Sequence, residues 1–357
     1  MKKVAIVGCG RMGAFTSESV LRHAPKCWFP LSHAESVIAH GGMEIMALAD
    51  TDTYMLQRAA KRYGVSRTYT DIDALLSENH LDLLCLATRT PGRADMIVNA
   101  YRAGVKAIHA EKPLCNTTQE LRELDSLFGC EDFHMTWGAI RRYLPAYQQA
   151  LDLVNSLEYG KLIEIRVNFG SAPLYWAHAH AFDLLTFISQ GRRLESVQAK
   201  LRNFQAVPGK TLCVESDPII EYCVIGFSDG VNGFITQSPG ADLVLTCERG
   251  EISVIDDGAS MNVRHYKLGA YPEFTSITIE PTSAPSGTLA PISMLSDCLD
   301  CVSKSIQANR KIKLDIIQSQ RMMFASVLSH AEGGKEVTDF LDMPEIEIRA
   351  LTNGRPA

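Results

Sequence analysis

The sequence lacks the features of several protein classes. It has no uninterrupted apolar stretch long enough to span a bilayer, and its start does not have the charged lead, apolar core and cleavage site of a signal peptide. Basic charge is not in excess, because 35 lysines and arginines stand against 41 aspartates and glutamates, a net charge of −6. This balance, without a long basic run, disfavours nucleic-acid binding. We therefore expect a cytoplasmic protein with neither a membrane nor a nucleic-acid partner.

Metal-binding spacing is also absent from the ten cysteines, which are scattered along the 357 residues. Cys298 and Cys301 form a single C-x-x-C pair without a second pair of cysteines or histidines nearby, so we predict no metal site. Other cysteines lie inside apolar segments, as Cys85 does within 81–88, which is typical of free thiols in a reducing compartment. The sequence has no repeat and no low-complexity segment, and its length favours two domains.

The clearest positive signal is a glycine-rich turn near the start. An apolar run over 4–7 leads directly into the sequence Gly8-Cys9-Gly10-Arg11-Met12-Gly13, and a helix-like segment covers 11–22. In such a turn the first glycine permits the tight bend, the second lets the backbone approach a pyrophosphate, and the third lets the helix pack on the strand. The free N–H groups at the start of the helix, at Arg11 and Met12, then face the phosphates. The pattern predicts a dinucleotide-binding turn.

An acidic residue, Asp50, ends the second predicted strand, over 44–49. A carboxylate at this place bonds ribose hydroxyls and disfavours a 2′-phosphate, so we expect NAD as the cofactor. The usual distance from the glycines is about twenty residues; it is nearly doubled here, and we assign the excess to an irregular insert over 25–42. Two alternatives stay open: Asp50 caps the next helix, or Arg58 and Arg62 on that helix admit NADP.

Alternating strand-like and helix-like segments fill the first part of the chain. They predict a doubly wound parallel sheet with helices on both faces, the α/β architecture of a Rossmann domain. Ligands of such sheets bind beyond the carboxyl ends of the strands. Four residues at such ends are predicted to contact the cofactor: Thr88, Thr90, Glu111 and Lys112.

The pattern changes after about residue 150, where short strand-like runs are separated by turn signals. It predicts an α+β domain with a large, mostly antiparallel open sheet. The expected division is a Rossmann domain over 1–138, a substrate and oligomerisation domain over 139–335, and a terminal segment, 336–357, packing back on the first domain.

Lys112 is the first catalytic candidate. It stands in Glu111-Lys112-Pro113 directly after a predicted strand, and the proline fixes its backbone. An ammonium there is placed to reach the nicotinamide and the substrate, and to stabilise a developing alkoxide or exchange a proton. The alternative is a surface turn with a salt-bridged lysine.

The glycine turn, the acid-ended second strand and Glu-Lys-Pro together resemble the glucose–fructose oxidoreductase / inositol dehydrogenase / MocA family, and the resemblance covers nearly the whole chain. It implies an NAD(P)-dependent enzyme that transfers a hydride between nicotinamide and a carbinol or keto carbon of a sugar, cyclitol or sugar-derived metabolite. It also implies a homo-oligomer, a dimer or a tetramer. Two alternatives stay open: a divergent member that reduces an imine, an amino-sugar intermediate or another non-sugar substrate, and a non-enzymatic nucleotide-binding regulator.

The family commonly carries Asp-x-Gly-x-His-x-x-Asp at the start of a helix beside the nicotinamide. In the corresponding stretch His180 and Asp183 match, Trp176 replaces the first Asp, and His178 replaces Gly. The resemblance implies that His180 is a general acid/base and that Asp183, one helical turn on, orients its ring. A core histidine bonded to a helix carboxylate is the alternative. The loss of the first Asp argues against a proton relay of the inositol dehydrogenase kind.

Five further residues are predicted to contact the substrate: Arg141, Tyr143, Tyr175, Trp176 and His178. An arginine at 141 is suited to a bidentate contact with a carboxylate or phosphate, and bracing of the domain junction is the alternative. Tyr175 and Trp176 either form a wall on which a sugar ring stacks or pack in the core.

Overall fold

The computed structural model describes residues 1–207, 209–267, 273–281 and 286–350. These residues form two compact units. The first contains 1–140 together with 286–317, and the second contains the described residues of 141–281 together with 318–350.

A six-stranded sheet forms the centre of the first unit. Its strands are β1 (Lys2–Val7), β2 (Met43–Ala49), β3 (Arg67–Tyr69), β4 (Leu83–Leu86), β5 (Ala107–Ala110) and β6 (His134–Trp137). They lie in the order β3-β2-β1-β4-β5-β6, and all neighbours pair in parallel. Every residue of β4 and β5 is buried, as expected of strands covered by helices on both faces. The doubly wound parallel sheet predicted from the sequence is confirmed.

Six helices accompany these strands: α1 (Glu18–His23), α2 (His33–His40), α3 (Thr53–Tyr63), α4 (Ile72–Glu78), α5 (Arg93–Arg102) and α6 (Thr118–Phe128). Their ends follow local chemistry. The Asp52 carboxylate accepts the Tyr54 and Met55 N–H groups at the start of α3, and Thr117 forms a reciprocal capping box with Glu120 at the start of α6.

Antiparallel pairing dominates the second unit. The strands after β6 are β7 (Leu162–Asn168), β8 (Leu194–Arg202), β9 (Ala206–Val207), β10 (Thr211–Val214), β11 (Ile219–Phe227), β12 (Asn232–Thr236), β13 (Asp242–Cys247), β14 (Gly250–Ile255), β15 (Ser260–Lys267), β16 (Glu273–Ile279) and β17 (Glu345–Ile348). Eight of them form a sheet in the order β16-β15-β14-β13-β7-β12-β11-β8, in which only β7 and β12 pair in parallel among the described strands. The remaining three form a small sheet, β17-β10-β9. The predicted mostly antiparallel sheet is confirmed.

The remaining helices are α7 (Pro145–Ser156), α8 (Ala179–Ser189), α9 (Leu289–Leu299) and α10 (Ser303–Ala331). Except for His180, every residue of α8 is buried, in agreement with its mostly apolar sequence. Among the described residues no helix is long and apolar enough to cross a membrane.

The two units differ from the predicted division in two places. Residues 286–317, expected in the second domain, belong to the first, because Ile292 and Leu295 of α9 pack in its hydrophobic core. The terminal segment was expected on the first domain, but β17 pairs with β10 of the second. Residues 351–357 of that prediction lie outside the described residues.

The helix after the glycine-rich turn is interrupted, which corrects the predicted helix over 11–22. The chain leaves the helical path after Phe15 and returns at His33, whose N–H donates to the Met12 carbonyl at 2.8 Å. Ala34 donates to the Gly13 carbonyl at 2.9 Å. In a continuous helix these carbonyls would accept from the residues at 16 and 17. Helix α2 is therefore the continuation of the turn at 11–15, and the 17 residues of 16–32 form an excursion.

This excursion accounts for the unusual position of Asp50. Without its 17 residues, Asp50 would follow Gly13 by 20 positions instead of 37, which is the ordinary spacing. The insert predicted over 25–42 thus lies earlier, and 33–40 of it is helix.

The excursion is fastened to the residues that precede α9. The Ser286 and Gly287 N–H groups donate to the Cys27 carbonyl, and the Thr288 hydroxyl donates to the Leu31 carbonyl at 2.7 Å. Cys27 and Leu31 are themselves buried. The excursion is consequently an ordered part of the first unit.

Candidate functional site

The glycine-rich turn at the end of β1 has one open glycine between two enclosed ones. Gly8 has a φ of +93°, and a Cβ on it would lie 2.6 Å from the Ala87 carbonyl oxygen. A Cβ on Gly13 would lie 1.7 Å from the Gly8 carbonyl oxygen, whereas one on Gly10 would meet no described atom within 4 Å beyond its chain neighbours. The turn therefore leaves backbone accessible where a pyrophosphate needs to approach. The residues present fit a dinucleotide.

The Asp50 carboxylate lies against this turn. It accepts the Cys9 N–H at 2.6 Å with one oxygen and the Asp52 N–H at 2.8 Å with the other. Asp52, not Asp50, caps α3, so the capping alternative for Asp50 is wrong. A carboxylate has about four lone-pair sites, so both oxygens retain capacity for ribose hydroxyls. Burial and the Asp50 charge raise the pKa of the Cys9 thiol to about 12, which leaves this thiol protonated at neutral pH.

Two arginines of α3 stack beside the turn. The Arg58 guanidinium lies 4.3 Å from the centre of the Phe15 ring, and the Arg62 guanidinium lies 5.2 Å from it. Arg62 also pairs with Glu35 at 3.0 Å. Positive charge thus stands near the turn, and the NADP alternative stays open.

The carboxyl ends of β4 and β5 bring together the four predicted strand-end residues. Lys112 is partly buried, and a cis peptide joins it to Pro113. Glu111 is buried, and its Oε1 lies 3.3 Å from Nε2 of His33, the first residue of α2. Burial raises the pKa of the Glu111 carboxyl, but the His33 hydrogen bond and the charges of Lys112 and Arg93 outweigh it, so the net shift is downward.

Sequence reasoning missed the central residue of this region, Arg93. Its guanidinium is buried at the start of α5 and donates to the backbone carbonyls of Thr88, Glu111 and Pro113. Burial lowers the pKa of Arg93 to about 10, so the group remains charged at neutral pH. One signal was available: Arg93 shares the buried face of α5 with Ile97 and Ala100, at spacings of four and seven. A charged residue on such a face needs partners.

In the second unit, the predicted acid/base stands at the start of α8. His180 is half-buried at the second position of the helix. Asp183 is fully buried, and its carboxylate accepts hydrogen bonds from the Arg142 guanidinium, with an Nη2–Oδ1 distance of 2.7 Å. Arg142 also donates to the hydroxyl of Thr186. This buried ion pair fixes α8, and orientation of the His180 ring by Asp183 stays a prediction.

Of the predicted substrate residues Tyr175, Trp176 and His178, which precede α8, one is exposed and two are buried. The N–H groups of Tyr175 and Trp176 both donate to the Asp217 carboxylate, at 2.8 and 3.0 Å. The Trp176 side chain is 44% exposed, whereas Tyr175 is buried with its ring 6.1 Å from that of Phe324. His178 is fully buried, and burial lowers its pKa to about 4. The structure therefore favours a core role for Tyr175 and His178.

Arg141 and Tyr143 are also held inside the second unit. Arg141 makes a bidentate ion pair with Asp257, at 2.6 and 2.8 Å, and stacks on the Phe169 ring. Tyr143 is buried. These contacts favour a bracing role within the second unit for Arg141.

Comparison with known proteins agrees with this geometry. Residues 2–130 match the model of an oxidoreductase family with an NAD-binding Rossmann fold. D-apiose dehydrogenase of Paraburkholderia graminis is 31% identical over 122 residues, which cover 34% of this chain and 28% of that protein. scyllo-Inositol 2-dehydrogenase (NAD⁺) of Bacillus subtilis is 24% identical over 161 residues, 45% of this chain and 42% of that protein. The chain thus spans less than half the length of these two relatives.

A solved structure extends the likeness to both units. The NAD-binding oxidoreductase from Klebsiella pneumoniae has a TM-score of 0.72, covering 94% of this chain and 98% of that one, at 16% identity. At this identity the likeness establishes the fold alone.

Proposed function

We propose that the chain is a member of the Gfo/Idh/MocA oxidoreductase family, whose NAD-binding model residues 2–130 match, and that it is an NAD-dependent dehydrogenase or reductase acting on a sugar, a cyclitol or a sugar-derived metabolite. One observation carries the proposal: the open Gly10 backbone and the Asp50 carboxylate lie at one end of the sheet that also presents Lys112. The names of the matched relatives, an apiose and an inositol dehydrogenase, support the substrate class. A homo-oligomeric, cytoplasmic enzyme is part of the same proposal.

The residues of the first unit would bind the cofactor and polarise the substrate. The Gly10 backbone admits the pyrophosphate, and Asp50 accepts hydrogen bonds from the ribose hydroxyls. Bound NAD would supply the hydride acceptor. The Lys112 ammonium stabilises negative charge that develops on the reacting oxygen of the substrate.

His180 of the second unit would exchange the proton of the reacting hydroxyl, since an imidazole titrates near neutral pH. Trp176, the exposed aromatic, would contact the apolar face of the substrate. Because Trp176 stands where the family commonly has Asp, this position favours a second candidate, reduction of an imine, an amino-sugar intermediate or another non-sugar substrate. A nucleotide-binding regulator is the third candidate.

The test measures NADH formation from NAD⁺ with a panel of pentoses, hexoses and inositols, and NADH consumption with keto-sugars and cyclic imines. We expect turnover with one class, and Lys112→Ala should lower kcat/KM about 100- to 1,000-fold, the usual cost of removing one group that stabilises charge in the transition state. Lys106→Ala is the matched control, because Lys106 pairs with Asp132 at 2.7 Å. Full activity of Lys112→Ala would remove Lys112 from the mechanism. NADH binding without turnover of any substrate would favour the regulator.

A further inference from the structure

We propose that Arg93 is a positioning residue for Lys112: its buried guanidinium fixes the backbone on both sides of Lys112 and thereby sets the position of the ammonium. The inference rests on the proposed function, because it concerns the residue to which that proposal gives the central role.

The contacts of Arg93 surround Lys112 in the chain. The guanidinium donates from Nη1 to the carbonyl of Glu111 at 2.7 Å and to the carbonyl of Pro113. Its Nη2 donates to the carbonyl of Thr88, in the loop after β4. One rigid, planar group therefore joins the residue before Lys112, the residue after it and the neighbouring strand-end loop.

The start of α5 holds the guanidinium in place. The Arg93 N–H donates to the carbonyl of Thr90 at 3.0 Å, and the side chain is 1% exposed. Since α5 is anchored by Ile97 and Ala100 in the core, the guanidinium is fixed relative to the sheet and not only to the loops.

A buried cation is costly to desolvate. Burial is visible in Arg93 itself, whose pKa is lowered to about 10. The three carbonyl acceptors partly offset this cost. The guanidinium supplies donors in a fixed, planar fork, and through them it bonds all three carbonyls at once.

A second anchor acts on the residue before Lys112. The Glu111 carboxylate is bonded to His33, and a Cβ on Gly138 would lie 2.6 Å from its oxygens, so the space around it is filled. Glu111 is thus fixed at its side chain by His33 and at its carbonyl by Arg93. The Lys112 side chain extends from backbone that is held at both neighbours.

The test compares Arg93→Lys, which keeps the charge but loses the fork, with Arg102→Lys, an exposed site at the other end of α5. We expect Arg93→Lys to lower kcat about 30- to 100-fold, because misplacement of a catalytic group by about 1 Å costs about 100-fold. KM and the NADH dissociation constant should stay within about threefold. In the Lys112→Ala background the same change should have no further effect on kcat, because both act on one function.

The inference would be overturned if Arg93→Lys had the same kcat as the Arg102→Lys control. It would also be overturned if the losses of kcat in Arg93→Lys and Lys112→Ala multiplied when both changes were combined. A purely structural role would instead lower the melting temperature and NADH affinity together. If Arg93→Lys does not fold, Arg93→Met, which keeps much of the volume, replaces it in the same cycle.

A readout without turnover separates this inference from the proposed function. Acetylation of Lys112 by acetic anhydride, followed by mass spectrometry over a pH series, reports the reactivity of its amine. Arg93→Lys should shift that pH profile and Arg102→Lys should not. If the pH profile of acetylation shifts but the protein turns over no substrate, the proposed function is wrong and the positioning role is supported. If the profile does not shift, the positioning role alone is wrong.

Discussion

Deletion of residues 16–32, with Phe15 joined to His33, should leave a folded protein that binds NAD. The reason lies in the hydrogen bonds of the interrupted helix: His33 and Ala34 already donate to the carbonyls of Met12 and Gly13, as the next two residues of a continuous helix would. In the joined chain, the turn at 11–15 and α2 would therefore form one helix in the positions that they already occupy. Asp50 would then stand at the ordinary distance from the glycines.

The structure gives the magnitude of the stability change. The deletion removes the burial of Cys27 and Leu31, worth together about 4 kcal/mol at roughly 2 kcal/mol for each apolar side chain. The N–H groups of Ser286, Gly287 and Thr288 and the Thr288 hydroxyl lose their acceptors, at about 1 kcal/mol for each lost bond. Removal of a loop of this length recovers about 2–3 kcal/mol of closure entropy. We expect a net loss of about 5–6 kcal/mol in the free energy of unfolding.

The assay is a fluorescence titration with NADH, together with the melting temperature of both proteins. The deletion variant should bind NADH within about threefold of the parent and melt lower. Gly10→Ala is the control for the assay: its Cβ would meet no described atom within 4 Å beyond its chain neighbours, so the variant should fold normally and bind NADH weakly. A folded deletion variant that loses NADH affinity tenfold or more would contradict the prediction, because the excursion would then carry part of the cofactor site.

Two further predictions concern buried ionisable groups of the second unit. Asp183→Asn should lower the free energy of unfolding by about 3–5 kcal/mol, because it leaves the Arg142 charge buried without its counter-ion. The double variant Arg142→Met, Asp183→Leu should recover much of this loss. Urea unfolding of both variants checks the prediction, and equal losses of stability would contradict it. Burial lowers the pKa of His178 to about 4, so the free energy of unfolding should fall by about 3 kcal/mol as the pH drops from about 6.5 to 4. Over this range the unfolded chain binds the proton before the folded protein does. The stabilisation by neutral His178 is therefore fully present only above this range. The stability difference between pH 7 and pH 4.5 should shrink in His178→Asn, and an unchanged difference would show that His178 is not the group responsible.

Local patterns predicted much of the fold because strands and turns depend on neighbouring residues. The strand-like runs predicted after about residue 150 include the strands β7 and β11 of the second unit. The glycine turn and Asp50 were also accessible, because their spacing and position after strands reflect a recurrent unit. The hairpin of β13 and β14 follows from alternating apolar residues on either side of a short polar turn.

The interrupted helix could not be read from local pattern. Residues 11–22 have a composition compatible with a helix, and the deciding hydrogen bond joins Met12 to His33, which is remote in sequence. The excess in the distance to Asp50 was the available clue. It gave the presence of an insertion but not where the insertion begins.

The polar contacts that the sequence did not predict share one physical property: the partner of each buried group lies elsewhere in the chain. Two of the carbonyls that stabilise Arg93, those of Glu111 and Pro113, are 18 and 20 residues away, and the Arg142–Asp183 pair joins positions 41 apart. Periodicity places these residues on buried faces, and chemistry then requires a partner, yet neither property identifies which partner. For Asp183 the nearest candidate along the helix was His180, whereas the structure supplies a guanidinium from before α7. A charged residue at an apolar position of a helix therefore predicts a partner in the fold more securely than it predicts a role in the reaction.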